Sequence, residues 1–108
     1  MTFNEYQISA KSTDIYSEKY AFFCHVLGLA GEAGEVLDKV KKIYRDNDGN
    51  FTDVKKIEIA YELGDALWYI ACIAYDLEIS LDDIAIMNIQ KLADRKERNQ
   101  LGGSGDHR

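Results

Sequence analysis

The 108-residue chain has no proline, only two cysteines and two histidines, and a single tryptophan. Without proline, nothing interrupts long helices. Cys24 and Cys72 both stand in apolar stretches, where they read as small buried hydrophobes rather than as a disulfide. With so few histidines and no Cys-x-x-Cys, the chain carries no structural-zinc motif. No apolar run approaches the roughly eighteen residues that span a bilayer, and Met1-Thr2-Phe3-Asn4-Glu5 lacks a basic stretch leading into an apolar one. Neither a transmembrane helix nor a signal peptide is therefore expected, and the expected compartment is the cytoplasm. Positive charge is also short: 13 basic residues face 19 acidic ones, a net charge of −6. Such a surface repels phosphate backbones and anionic lipids, which argues against duplex nucleic acid and membranes as partners.

Apolar residues make up 46% and charged residues 30%, the balance of a soluble globular domain rather than a disordered chain. Spacings of three and four dominate, so the expected class is all-α. Thr2-Phe3-Asn4-Glu5 fits a capping box and opens a short helix to about Ser12. A long helix is predicted from about Ser17 to Tyr44, with an apolar stripe of Phe22, Val26, Leu29, Ala33, Val36, Leu37, Val40 and Tyr44. Arg45–Asn50 is a loop rich in turn formers. Thr52 caps a third helix to about Leu77, and Ser80 caps a fourth ending near Asn99. The expectation is thus one four-helix bundle over residues 1–100, followed by a glycine-rich tail, 101–108. The third helix is apolar almost all the way round from Ile59 to Ala74, which predicts self-association.

Carboxylates interrupt that apolar helix. Glu58, Glu62, Asp65, Tyr69 and Asp76 fall in one stripe at about 100° per residue. Glu62 and Asp65, one turn apart, need a raised pKa, a basic partner or a metal ion. The second helix carries a matching pair, Glu32 and Glu35, beside Gly28, Gly31 and Gly34. Glycine inside a helix costs about 1 kcal/mol relative to alanine, so these positions predict a close approach of another helix or a ligand. Either pair alone reads as a solvated face. Two pairs on two helices, offering only oxygen, suit a hard cation such as Mg²⁺ or Mn²⁺. A di-iron bundle is excluded, since no glutamate has a histidine three residues on. On the fourth helix, Asn88, Lys91 and Arg95 share a stripe with Leu81, Ile84 and Leu92. Two readings stand open: basic chains snorkelling from the core edge, or groups aimed at an anion.

Gly28-Leu29-Ala30-Gly31-Glu32-Ala33-Gly34-Glu35-Val36, followed by Glu62-Leu63-Gly64-Asp65-Ala66-Leu67-Trp68-Tyr69-Ile70, resembles the MazG-like nucleotide pyrophosphohydrolases, an all-α superfamily. The opening Asn4-Glu5-Tyr6-Gln7, the Asn88–Arg95 helix and the Gly103–Arg108 ending extend the resemblance over nearly the whole chain. It implies hydrolysis of a nucleoside triphosphate between the α and β phosphates, serving to clean the nucleotide pool. It further implies Glu32, Glu35, Glu62 and Asp65 as Mg²⁺ ligands, with Glu35 a candidate base. Asn88, Lys91 and Arg95 match nucleotide and phosphate contacts, with Lys91 and Arg95 stabilising transition-state charge. Tyr69 matches an aromatic against the sugar, and Lys42 is a weaker match for a phosphate contact. A homodimer or homotetramer is implied as well. Gly31 stands where some members have a second adjacent glutamate, which leaves the metal count open.

Three other readings complete the picture. The rival function is a non-catalytic helical module that binds nucleotide or only oligomerises. Calcium binding by Asp46-Asn47-Asp48-Gly49 fails on register, because Tyr44 and Lys55 would stand where an EF-hand needs acids. The tail reads either as a frayed terminus or as a flap over phosphates. Phe22, Phe23, His25 and Trp68 are expected in the core rather than against a base.

Overall fold

A computed structural model describes all residues from Met1 to Arg108 as four helices with no strand: α1 (Phe3–Lys11), α2 (Ala21–Asn47), α3 (Asp53–Asp76) and α4 (Leu81–Glu97). The expected caps are in place. The hydroxyls of Thr2, Thr52 and Ser80 accept from the amides of Glu5, Lys55 and Asp83, satisfying donors that each first turn leaves open.

The second helix departs from expectation at both ends. It starts four residues later than predicted, because Asp14 accepts the Tyr16 amide and Tyr20 closes a turn onto Ser17, making 12–20 a loop. It then runs on to Asn47, where Asp48 (φ 52°) and Gly49 (φ 74°) take left-handed conformations. The Gly49 amide returns 3.1 Å to the Ile43 carbonyl and ends the helix.

The short connection makes α2 and α3 an antiparallel pair, with His25 at the start of α2 meeting Asp76 at the end of α3. The first and last helices gather at that end. Ala10, Ala71 and Leu81 form a small core with Tyr6, Trp68 and Ile84 against it. Gln7 locks the arrangement: its amide nitrogen donates to the carbonyls of Ala71 and Ile79, and its oxygen accepts from the Leu81 amide. Asn4 accepts from the Asp82 amide, so two side chains of α1 tie down the start of α4. The last helix packs on α1 and α3 and does not touch α2, so the bundle closes on one side only.

Much apolar surface stays uncovered. Only ten of 108 residues are buried. The radius of gyration is 16.8 Å, against about 13 Å for a compact chain of this length. The accessible surface of 7960 Å² exceeds by roughly 1,900 Å² that of a compact 12.3 kDa monomer. Of the stripe predicted for α2, Leu29, Val36 and Val40 are half-buried, whereas Phe22, Ala33, Val26, Leu37 and Tyr44 are exposed. Phe22 and Phe23, expected in the core, also lie on the surface. A different stripe, Phe23, Leu27, Ala30, Gly34 and Leu37, is exposed along α2, and Val54, Ile57 and Tyr61 form another on α3. No helix is long and apolar enough to cross a membrane.

Candidate active site

Three of the four carboxylates read from the sequence come together midway along the α2–α3 pair. Glu32, Glu62 and Asp65 each place an oxygen so that all lie within 4.8 Å of one another. Antiparallel packing sets Glu32 against both ends of the Glu62–Asp65 turn. One cation stands near: Lys39 Nζ is 3.5 Å from a Glu62 oxygen. Burial pushes the Glu32 carboxyl above its ordinary range, aided by a shared hydrogen bond with Glu62 and by the charges of Asp65, Glu62 and Glu35.

The carboxylates open into a cleft of about 340 Å³ lined by Thr13, Glu32, Asp65, Trp68 and Tyr69. Tyr69 is fixed from two sides. Its hydroxyl lies 3.0 Å from that of Tyr16, and this bond, with burial, pushes its pKa up to about 12. Its ring lies against Gly28, where a Cβ would come within 2.7 Å of three ring atoms. Gly28 is therefore the close approach that the sequence predicted. Nothing lies within 4 Å of a Cβ built at Gly31, Gly34 or Gly64, so within this chain those three glycines meet no neighbour. Trp68 is held by its indole N–H, which donates to Thr13 Oγ1 at 2.8 Å and to the Ala10 carbonyl at 3.1 Å.

The remaining predicted residues stand elsewhere. Glu35, one turn along α2, faces a second cleft of about 300 Å³ with Asp38, Lys39, Lys42, Lys55 and Glu58. There Lys42 is paired to Asp38 at 2.7 Å. Asn88 and Lys91 are exposed on α4, away from the carboxylates, with Lys91 Nζ 3.9 Å from Asp106. Arg95 is buried, but by its own tail: its guanidinium donates to the carbonyls of Asp106 and Gly105. Arg108 donates to the carbonyls of Leu101, Gly102 and Gly105, so the tail lacks regular structure yet is tied down rather than frayed.

Two lining residues, Thr13 and Trp68, were not foreseen in this role. Trp68 was legible, since it follows Asp65 by one turn on the same face. Thr13 was not, because only the folding of the 12–20 loop over α3 brings it there.

Three oxygen donors next to an aromatic cleft on an antiparallel helix pair make a candidate hard-cation site in an all-α protein. The comparisons make it specific. A model of the MazG nucleotide pyrophosphohydrolase domain matches residues 25–99, and the chain belongs to that family. It is 42% identical over 109 residues to the Gene 37 protein of Mycobacterium phage L5, covering 95% of this chain and 96% of that one. No solved structure matches it significantly.

Proposed function

We propose that this protein is a Mg²⁺-dependent nucleoside triphosphate pyrophosphohydrolase, which cleaves (d)NTP between the α and β phosphates to release a monophosphate and pyrophosphate. The observation that carries the reading is the convergence of Glu32, Glu62 and Asp65 beside the Trp68–Tyr69 cleft. The donor set fits the ion: three oxygens, with no nitrogen or sulfur, match Mg²⁺ or Mn²⁺. The elevated Glu32 carboxyl is a further mark of negative charge awaiting a cation. When bound, the ion supplies charge neutralisation for the phosphates and acidifies a water.

The chain's own residues do the rest. Glu32, Glu62 and Asp65 hold the ion, and Glu35, one turn away, completes its shell or accepts the proton of the attacking water. Tyr69, stiffened by Tyr16, presents an aromatic wall to the sugar. Lys42 reaches a phosphate by leaving Asp38.

Asn88 and Lys91, exposed on α4, bear on phosphate from a second copy, and Arg95 holds the tail beside them until it is released to do the same. The assembly is a homodimer or homotetramer. Its support is the excess surface and the exposed Phe23–Leu27–Ala30–Gly34–Leu37 stripe, whose small centre admits a crossing helix. The role is nucleotide-pool cleaning in the cytoplasm.

The test is a thermal melt with and without Mg²⁺, followed by a (d)NTP panel assayed for product. The expected result is a higher melting temperature with Mg²⁺, and pyrophosphate rather than single phosphate. No shift and no release from any nucleotide would leave the non-catalytic nucleotide-binding or oligomerisation module.

A further inference from the structure

At the His25 end of the α2–α3 pair lies a second donor cluster that the hydrolytic site does not use. A carboxylate oxygen of Asp14, a ring nitrogen of His25 and the Cys72 sulfur lie within 4.8 Å of one another. His25 and Cys72 are essentially inaccessible, as is the Asp14 side chain. His25 Nδ1 is committed to Asp76 Oδ2 at 2.5 Å. The other ring nitrogen, Nε2, is fully buried and makes no hydrogen bond, although it stands 2.9 Å from Asp14 Oδ2.

Lys11 Nζ reaches that Asp14 oxygen from its outer side at 2.9 Å, but Nε2 itself has no hydrogen-bond partner. With Nδ1 held by Asp76, the buried Nε2 points at a carboxylate oxygen without making a hydrogen bond. A contact of 2.9 Å between these two atoms needs a proton or a metal ion to join them. A carboxylate behind one ring nitrogen is also what orients a metal-bound histidine toward its ion.

We propose that Asp14, His25 and Cys72 form a site for a divalent transition metal of the zinc class, distinct from the Mg²⁺ carboxylates. One oxygen, one imidazole nitrogen and one thiolate make a mixed donor set that selects such ions over Mg²⁺. His25 stands seven residues before Glu32, about 10 Å along the helix, so the two sites are separate. Tyr16 and Trp68 close edge-on over the imidazole, with ring centroids at 5.5 and 5.8 Å. A groove of about 870 Å³ lined by Lys11, Tyr16 and Asp76, among others, lies beside the cluster, bounded by two residues that contact its ligands. Lys11, on Asp14 Oδ2 at 2.9 Å, is part-exposed and can turn away as the ion takes that oxygen. Bound there, the ion joins the 12–20 loop, α2 and α3, and so stiffens the wall that carries Tyr16, Trp68 and Tyr69.

The sequence held no zinc motif because these ligands are scattered through the chain and only the fold assembles them. The test titrates the metal-free protein with Co²⁺ and then Zn²⁺ in excess Mg²⁺, which occupies the carboxylate site. One equivalent of Co²⁺ is expected to give thiolate-to-metal charge-transfer absorption, bleached by Zn²⁺. Cys72→Ala abolishes the band and weakens Zn²⁺ binding by at least about 100-fold. Cys24→Ala and Asp65→Asn retain both signals, which keeps the result independent of whether the Mg²⁺ site is correct. Absence of the band in the unmutated protein, or equal Zn²⁺ affinity after Cys72→Ala, would overturn the site.

Discussion

Two places along the α2–α3 pair solve one electrostatic problem in opposite ways. At the His25 end, Asp14 and Asp76 are met by an imidazole and by Lys11, beneath a cover of α1, α4 and the 12–20 loop. Midway along, Glu32, Glu62 and Asp65 converge with only Lys39 near, beneath an open cleft. The fold supplies protein cations at the first place and only Lys39 at the second, where the neighbouring carboxylates help to push Glu32 above its ordinary range, so the open cluster has the stronger demand for an added cation.

The contrast breaks most completely if the open carboxylates are removed. Glu62→Gln and Asp65→Asn are each expected to lower NTP hydrolysis by more than about 100-fold, the upper range for losing mere support around a ligand. Both should also abolish the Mg²⁺-induced rise in melting temperature while leaving the circular dichroism helical. Near-normal turnover in either variant would remove it from the site.

Next in size is the exposed apolar face. Leu37, 70% exposed, belongs to the α2 stripe and touches neither donor cluster. Leu37→Asp is expected to reduce the assembly to a smaller species in light scattering and to cost most of the activity. An unchanged mass would show that another face makes the contact.

Gly28→Ala tests the wall between the two places. Its methyl must displace the Tyr69 ring, at a cost of about 1–3 kcal/mol in stability. With Tyr69 proposed as the wall against the sugar, KM should rise more than kcat falls. A melting temperature equal to that of the parent would contradict the close approach.

The mildest expected effect concerns pH. The folded protein keeps a proton on Glu32 that the unfolded chain gives up near the ordinary value of 4.5. The folded state thus binds more protons, and the metal-free protein loses stability as pH rises from there toward the elevated folded pKa. Glu32→Gln removes that decline, so without metal it should melt above the parent at neutral pH. With Mg²⁺ the order should reverse. A parent whose metal-free stability rose through this window would contradict the shift.

How much was legible beforehand depended on the residue. Thr2, Thr52 and Ser80 marked helix starts because a cap acts within its own turn, and the Glu62–Asp65 pair was visible because three residues make one turn. Gly28 signalled a close approach, but the sequence did not say that Tyr69 would fill it. The start of α2 was misplaced because Asp14, which bends the loop, looks like any polar residue.

Helical class, the four segments and the two carboxylate pairs were therefore determined by sequence alone, since periodicity sets where a side chain points around its own axis. What lies opposite depends on how one helix is staggered against the next, and only the tertiary structure decided that. The stagger joined Glu32 to Glu62 and Asp65, left Glu35 beside Lys39 and Glu58, and turned Arg95 into the anchor of its own tail. It also drew Asp14, His25 and Cys72 to one point. Contacts between residues far apart in the chain are products of packing, and no local pattern encodes them.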